Sequence, residues 1–150
     1  PVQLTPPTGS SSASLPVALA EQYAWSKNQD LDVLACDATA LGTAKTAWVL
    51  YPDHAVFLGP RAVCCPLESL AVDAPTLTET APDFILVEGA GVLVSSTATQ
   101  AAREQLLCYA DVVVRLRTAN APVPLRDADV ADLLDWDAEK YRQSLAAAQF

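Results

Sequence analysis

Acid–base and metal-assisted chemistry draw on His, Cys, Asp and Glu side chains that converge, and this chain offers one histidine, His54, next to Asp53. A single imidazole excludes a two-histidine zinc motif, a His-rich catalytic metal site and a His-ligated cluster within the chain. Neighbours on a strand face opposite ways, so Asp53 is not placed to orient His54 if the two lie on a strand. His54 is therefore expected to be an exposed or hydrogen-bonded structural residue, with a general base or a share in a ligand site as the alternatives.

Glu88-Gly89-Ala90-Gly91 is the second feature with chemical potential. It ends a strongly apolar run, where glycine permits unusual backbone angles or close approach of a ligand. It is not a dinucleotide fingerprint, because the glycines open a second strand instead of a helix, and it lacks the Lys and Ser or Thr of a phosphate loop. A β-turn with Glu88 facing outward is the expectation. Ser95-Ser96-Thr97-Ala98-Thr99 can bind an anion through free amides at a helix start, but no basic residue adjoins it, and Thr97 or Thr99 is expected to cap that helix. The acidic series Asp127, Asp129, Asp132, Asp135, Asp137 and Glu139 lacks the glycine and spacing of a calcium loop and reads as a solvated helix face.

Four cysteines in a chain with a large apolar core read as reduced thiols. Cys64 and Cys65 should point to opposite faces of a strand, which discourages joint ligation of one metal, and Cys36 and Cys108 look like small buried hydrophobes. The expected cofactor and metal complement is none.

The elements that must position these residues begin after a Pro/Ser-rich tail over residues 1–15, expected to be flexible, and form one domain over 16–150. From Pro16 a helical pattern carries Leu19, Tyr23 and Ser26, and a second short helix is expected from Leu31 to Leu41, stopping at Gly42. Apolar runs predict strands at 54–58, 62–65, 84–88 and 92–95, the first two joined as a hairpin through Gly59-Pro60-Arg61. A long helix near 98–117 shows the stripe Ala102, Leu106, Tyr109, Val113, Leu116, with Arg115 and Arg117 at its C-terminal end. Asp127 or Asp129, then Asp135 or Asp137, are candidate caps for two closing helices. Because the strand runs do not alternate apolar with polar, the fold class is α/β, a layered α/β/α arrangement with a partly antiparallel central sheet.

The chain has 150 residues, 51% hydrophobic and 18% charged, with a net charge of −9. That composition suits one globular domain burying roughly two thirds of its unfolded surface. The acidic balance argues against nucleic acid as a partner, and no apolar stretch approaches the length of a membrane span. A cytoplasmic location is expected, since the start lacks the regions of a signal peptide. A first residue of Pro and the absence of Met fit a processed or excised piece.

The stretch from Phe84 to Leu106, strand, Gly-flanked turn, strand and Ala-rich helix, resembles the C-terminal part of the class II aldolase/adducin fold. Tyr51-Pro-Asp-His-Ala-Val-Phe-Leu-Gly-Pro-Arg-Ala and Leu134-Asp-Trp-Asp-Ala-Glu-Lys-Tyr-Arg look like one branch, the aldolase-like domain of bifunctional rhamnulose-phosphate aldolase/short-chain dehydrogenase proteins. The resemblance spans roughly residues 47 to 147 and implies a class II aldolase-like fold. In that family the turn reads Asn-His-Gly and its imidazole ligates the catalytic zinc, whereas Ala90 stands there in this chain. The family's His-x-His pair is absent, and without the metal retro-aldol cleavage has no electron sink.

The leading reading is a catalytically degenerate aldolase-like domain of a larger sugar-metabolism protein, used for packing or for binding a sugar-phosphate-like ligand. Its expected partner is a missing N-terminal half or a second subunit. One alternative is a piece of an active lyase whose metal ligands come from elsewhere, and another is an adducin-like interaction module. Glu88, Gly89, Ala90, Gly91, Thr97 and His54 are the candidate ligand-binding residues.

Overall fold

The computed structural model describes residues 13–116 and 121–147. Its elements are α1 (Val17–Ala20), β1 (Tyr23–Trp25), α2 (Gln29–Cys36), α3 (Ala38–Thr46), α4 (Pro52–Leu58), β2 (Cys64–Pro66), a 3-10 turn (Leu67–Ser69), α5 (Leu70–Thr80), β3 (Phe84–Glu88), β4 (Gly91–Ser95), α6 (Gln100–Leu116), α7 (Asp127–Asp135) and α8 (Asp137–Ala147). The four strands form one mixed sheet in the order β1-β4-β3-β2. β4 pairs antiparallel with both β1 and β3, whereas β2 runs parallel to β3.

Side chains leave the central hairpin on alternating faces, as strand geometry demands. Phe84, Leu86, Val92 and Val94 join one apolar cluster with Leu34, Leu106 and Tyr109, while Ile85, Val87 and Leu93 join another with Leu19, Leu70 and Leu77. Helices therefore cover both faces, which explains why β3 and β4 read as unbroken apolar runs. Cys64 and Cys65 follow the same rule and enter different clusters.

The run expected as a strand over 54–58 is instead α4. Tyr51 is extended at the N-cap, and Pro52 supplies a preset φ at the first turn, beside Asp53. A short apolar run does not by itself distinguish a buried strand from a buried helix, and here the proline signal prevails. With α4 helical, no hairpin joins it to 62–65. The strand there is Cys64–Pro66, and it reaches β3 through α5 as a parallel crossover.

The helical pattern after Pro16 ends within one turn. Tyr23 and Trp25, aromatic residues suited to strands, lie in β1 opposite Ser95 and Leu93. The single helix expected over Leu31–Leu41 is two helices. Asp37 ends α2 and caps α3, accepting hydrogen bonds from the Thr39 and Ala40 amides at 3.0 and 2.9 Å, so Gly42 falls inside α3 instead of stopping a helix.

Thr99 caps α6, its hydroxyl accepting from the Ala102 amide at 3.1 Å. Arg126 occupies the N-cap of α7, so neither Asp127 nor Asp129 caps it; both lie in the first turn, where their charge complements the helix dipole. Asp135 binds Lys140 at 2.8 Å. Residues 1–12 of the expected tail, and Arg117, lie outside the described residues. Ala13 accepts a hydrogen bond from the Trp25 indole at 2.9 Å, and Leu15 packs on the second cluster.

Candidate functional site

The turn between β3 and β4 is built from three backbone devices. Gly89 adopts φ 77°, its amide donates to the Ala35 carbonyl at 2.9 Å, and the Ala90 amide closes the turn onto the Val87 carbonyl at 3.0 Å. Gly91 follows at φ 142°, a left-handed angle that side chains rarely take. A methyl group there would lie 2.8 Å from Asp32 Oδ1.

Asp32 is buried on α2, and its Oδ1 accepts from the Val92 amide at 3.3 Å and from the Ser26 hydroxyl at 3.2 Å. This carboxylate ties the first residues of β4 to the loop after β1. Glu88 faces outward as expected, with Lys45 of α3 at 2.7 Å. The ion pair holds the Lys45 ammonium above its usual range through the Glu88 hydrogen bond.

Ala90 belongs to the core. It is 3% exposed and packs in the second cluster with Leu19, Tyr23 and Leu70. Its methyl group is part of the core, so the position that an imidazole would need is filled by neighbouring apolar side chains.

His54 is likewise interior. It sits on α4 with its ring fully buried, 5.0 Å from the Tyr51 ring and 5.2 Å from the Tyr109 ring. Nδ1 accepts from the Leu50 amide at 3.3 Å, so the proton of the neutral ring is on Nε2, and Nε2 has no hydrogen-bond partner among the described residues. Asp53 is turned to Arg142 at 3.0 Å and leaves the imidazole unoriented. Burial lowers the His54 pKa, against a smaller opposing pull from Asp53.

A His with a depressed native pKa binds fewer protons folded than unfolded below pH ~6.5, so stability falls as pH drops through that value toward the native pKa. Urea denaturation at pH 7.5 and 5.5 is expected to show this loss in the parent chain and a smaller loss in His54→Gln, where an amide oxygen can still accept from Leu50. An equal pH dependence in both would remove His54 as its source.

Thr97 lies beyond the opposite end of β4, roughly 17 Å of strand from the turn. Its hydroxyl pairs with Ser95 Oγ at 2.8 Å. The six expected ligand-binding residues are thus divided among three places: a docked turn, a helix in the core and the far end of the sheet. A basic residue does adjoin the Ser95–Thr99 segment, contrary to expectation. Arg103, one turn into α6, donates to the carbonyls of Ala98 at 3.1 Å and Ser95 at 2.9 Å.

Three of the four thiols are shifted toward the neutral form. Burial, with a hydrogen bond from Cys65 Sγ to Asp73 at 3.3 Å, pushes the Cys65 pKa up to about 12, and burial also raises Cys36 and Cys64. Cys108 is exposed, not the buried hydrophobe expected of it. Its place in α6 is outside the Ala102, Leu106, Tyr109, Val113 stripe. Among the described residues no three His, Cys, Asp or Glu side chains gather closely enough to hold a metal ion. Of the acidic series, Asp127 pairs with Arg61, Asp129 with Arg126 and Asp135 with Lys140, all exposed.

Asp32, Lys45, Asp83 and Arg103 are the polar residues that sequence reasoning passed over. The contacts of Asp32 with Val92 and of Lys45 with Glu88 join residues distant in the chain. No helix of the described residues is long and apolar enough to cross a membrane. Comparison with family models, curated proteins and solved structures gives no match to this chain.

Proposed function

We propose that the chain is a class II aldolase-like domain without catalytic machinery, which serves its parent protein by packing against another domain or subunit. The observation that carries this reading is the buried Ala90 methyl. At the position where the resembled family places a zinc-ligating imidazole, this chain has a side chain integrated into an apolar layer. The succession strand, turn, strand and helix from Phe84 to Leu116 is compatible with the resemblance. A zinc site does not fit the described residues, because His54 is enclosed between tyrosine rings with Nδ1 already bonded and no three His, Cys, Asp or Glu side chains among them gather closely enough to hold a metal.

Packing as the role is supported by exposed apolar side chains on the outer helices, with Val17 82% and Val72 80% exposed on α1 and α5. A sugar-phosphate-like ligand would have to bind at a surface shared with that partner, since the turn itself is closed by Lys45 and Ala35.

The test is elemental analysis of protein purified without chelator, followed by an aldol-cleavage assay with added Zn²⁺ on fuculose- and rhamnulose-type phosphates. No stoichiometric metal and no turnover are expected. Ala90→His should create no activity and should destabilise by about 1–3 kcal/mol, the usual cost of overpacking a core. Tightly held metal, or turnover abolished by EDTA and restored by zinc, would overturn the reading in favour of an active lyase.

A further inference from the structure

The two faces of the sheet are covered unequally. Among the described residues, α2, α3, α4, α6 and α7 bury side chains in the first apolar cluster, whereas only α1 and α5 of the helices do so in the second. α5 buries Leu70, Ala74 and Leu77, a stripe at helical spacing, and leaves the opposite stripe, Val72, Pro75 and Thr76, exposed. Val17 and Ala18 are exposed on α1, which packs beside it. Pro75 has no N–H to give, so the carbonyl of exposed Ala71, one turn back, lacks its helical donor.

Charge is divided as unequally as the helices. The segments that build this thin layer, 13–26 and 62–83, contain Glu21, Glu68, Asp73, Glu79 and Asp83 but neither Lys nor Arg, and all nine basic residues lie elsewhere. The two at the borders lead away from it: Lys27 belongs to the loop into α2, and Arg61 pairs with Asp127 of α7 at 3.0 Å. No ion pair between described residues includes either segment. On α5 the exposed stripe runs between Glu68 and Glu79, both exposed and in line with it at three- and four-residue steps. The face thus has an uncharged, largely apolar centre with a carboxylate at each end. On α7, by contrast, Asp127 and Asp129 are matched by Arg61 and Arg126.

We propose that the outer face of α1 and α5 docks a basic amphipathic helix of a partner domain or subunit, whose apolar side covers Val17, Val72 and Pro75 and whose Lys or Arg side chains reach Glu68 and Glu79. Charge complementarity selects this occupant. A second copy of the chain would set these carboxylates against one another, and an anionic partner would be repelled. A helix presents apolar residues at the spacing of the α5 stripe, and its basic side chains bring N–H donors that the Ala71 carbonyl can accept. The inference rests on the packing role proposed above and adds to it the surface used and the chemistry of the partner.

Docking is tested by amide chemical-shift titration of the whole chain with three synthetic peptides: one with Leu on one helical face and Lys on the other, one with Glu for every Lys, and one with Ser for every Leu. The Leu/Lys peptide is expected to shift resonances of α1 and α5 around Val17, Ala71 and Val72, the Leu/Glu peptide not to bind, and the Ser/Lys peptide to bind at least about tenfold more weakly. Val72→Ser should weaken the Leu/Lys peptide about tenfold, and Glu68→Gln with Glu79→Gln about three- to tenfold at low salt and less at high salt. Melting curves of the variants separate lost binding from lost fold, and should a variant not fold, the ranking of the three peptides on the parent chain decides. Shifts centred on α7 or α8, equal binding of the Ser/Lys and Leu/Lys peptides, or unchanged affinity in the variants would overturn the basic partner and leave the packing role standing. So would a dimer of the chain alone, seen by sedimentation and dispersed by Val72→Ser, which would put a second copy on this face. The packing role falls by a different result, the tightly held zinc or metal-dependent turnover of the assay above.

Discussion

Tyr109→Ala is expected to cost about 3–5 kcal/mol of stability, the range for deleting a large aromatic from a core. Tyr109 is fully buried in α6, packs at 4.7 Å against the tilted Trp48 ring and lies nearly perpendicular to the His54 ring. Its hydroxyl donates to the Ala47 carbonyl at 2.9 Å, at the point where α3 gives way to the segment leading into α4. Truncation would therefore empty a ring-sized space and orphan a buried carbonyl together. At this chain length each kcal/mol moves the melting temperature by about 2–4 °C, so thermal denaturation reads the loss easily. Tyr109→Phe separates the parts: it keeps the ring and should cost about 1–2 kcal/mol for the unsatisfied carbonyl. A Phe variant as unstable as the Ala variant would show that the hydroxyl, not the ring, is the larger contribution.

Gly91→Val is expected to be comparably severe, at about 3–5 kcal/mol, from backbone strain together with a damaged buried hydrogen bond. A Cβ at this residue would meet Asp32 Oδ1 at 2.8 Å and Cγ at 3.3 Å, and the φ of 142° is unfavourable for any side chain. Asp32 would have to withdraw from the Val92 amide, which lies in the middle layer of the molecule. Gly42→Ala is the contrasting control. Gly42 is in the interior of α3 with open space where a methyl would go, so it should gain about 0.5–1 kcal/mol. A double-mutant cycle between Gly91→Ala and Asp32→Ala would show strong coupling if the clash is the cause. Equal tolerance of substitution at Gly91 and Gly42 would refute the close-contact account.

The central hairpin and α6 were legible in the sequence because each carries a long, consistent pattern. β3 and β4 are continuous apolar runs around a glycine turn, and α6 repeats buried residues every three or four positions through Ala102, Leu106, Tyr109 and Val113. Gly91 was legible as a residue needing positive φ or a close approach, and it shows both. The 54–58 run was misread because its apolar composition outweighed the Tyr51-Pro52-Asp53 start, a helix signal of only three residues. α5 was not foreseen at all, and its interior Pro75 argues locally against a helix. The candidate site was less legible than the fold. Its polar contacts join residues such as Asp32 and Val92, or Lys45 and Glu88, whose proximity is created only when α2 and α3 dock on the sheet.

The order of strands across the sheet also sets the order in which the molecule comes apart. The innermost pair, β3 with β4, is joined by a tight local turn, whereas β1 pairs with β4 across the whole intervening segment from Ser26 to Ala90. Contacts that close the smallest loops form earliest and at the least entropic cost, so the hairpin and the helix following it are the natural nucleus and β1 is a late addition. In the native state the sequence runs in reverse. Amide protons of Ile85, Leu86, Leu93 and Val94 should exchange only on global unfolding, while those of Tyr23–Trp25 should exchange through a smaller opening that detaches the edge strand and leaves the rest of the sheet intact.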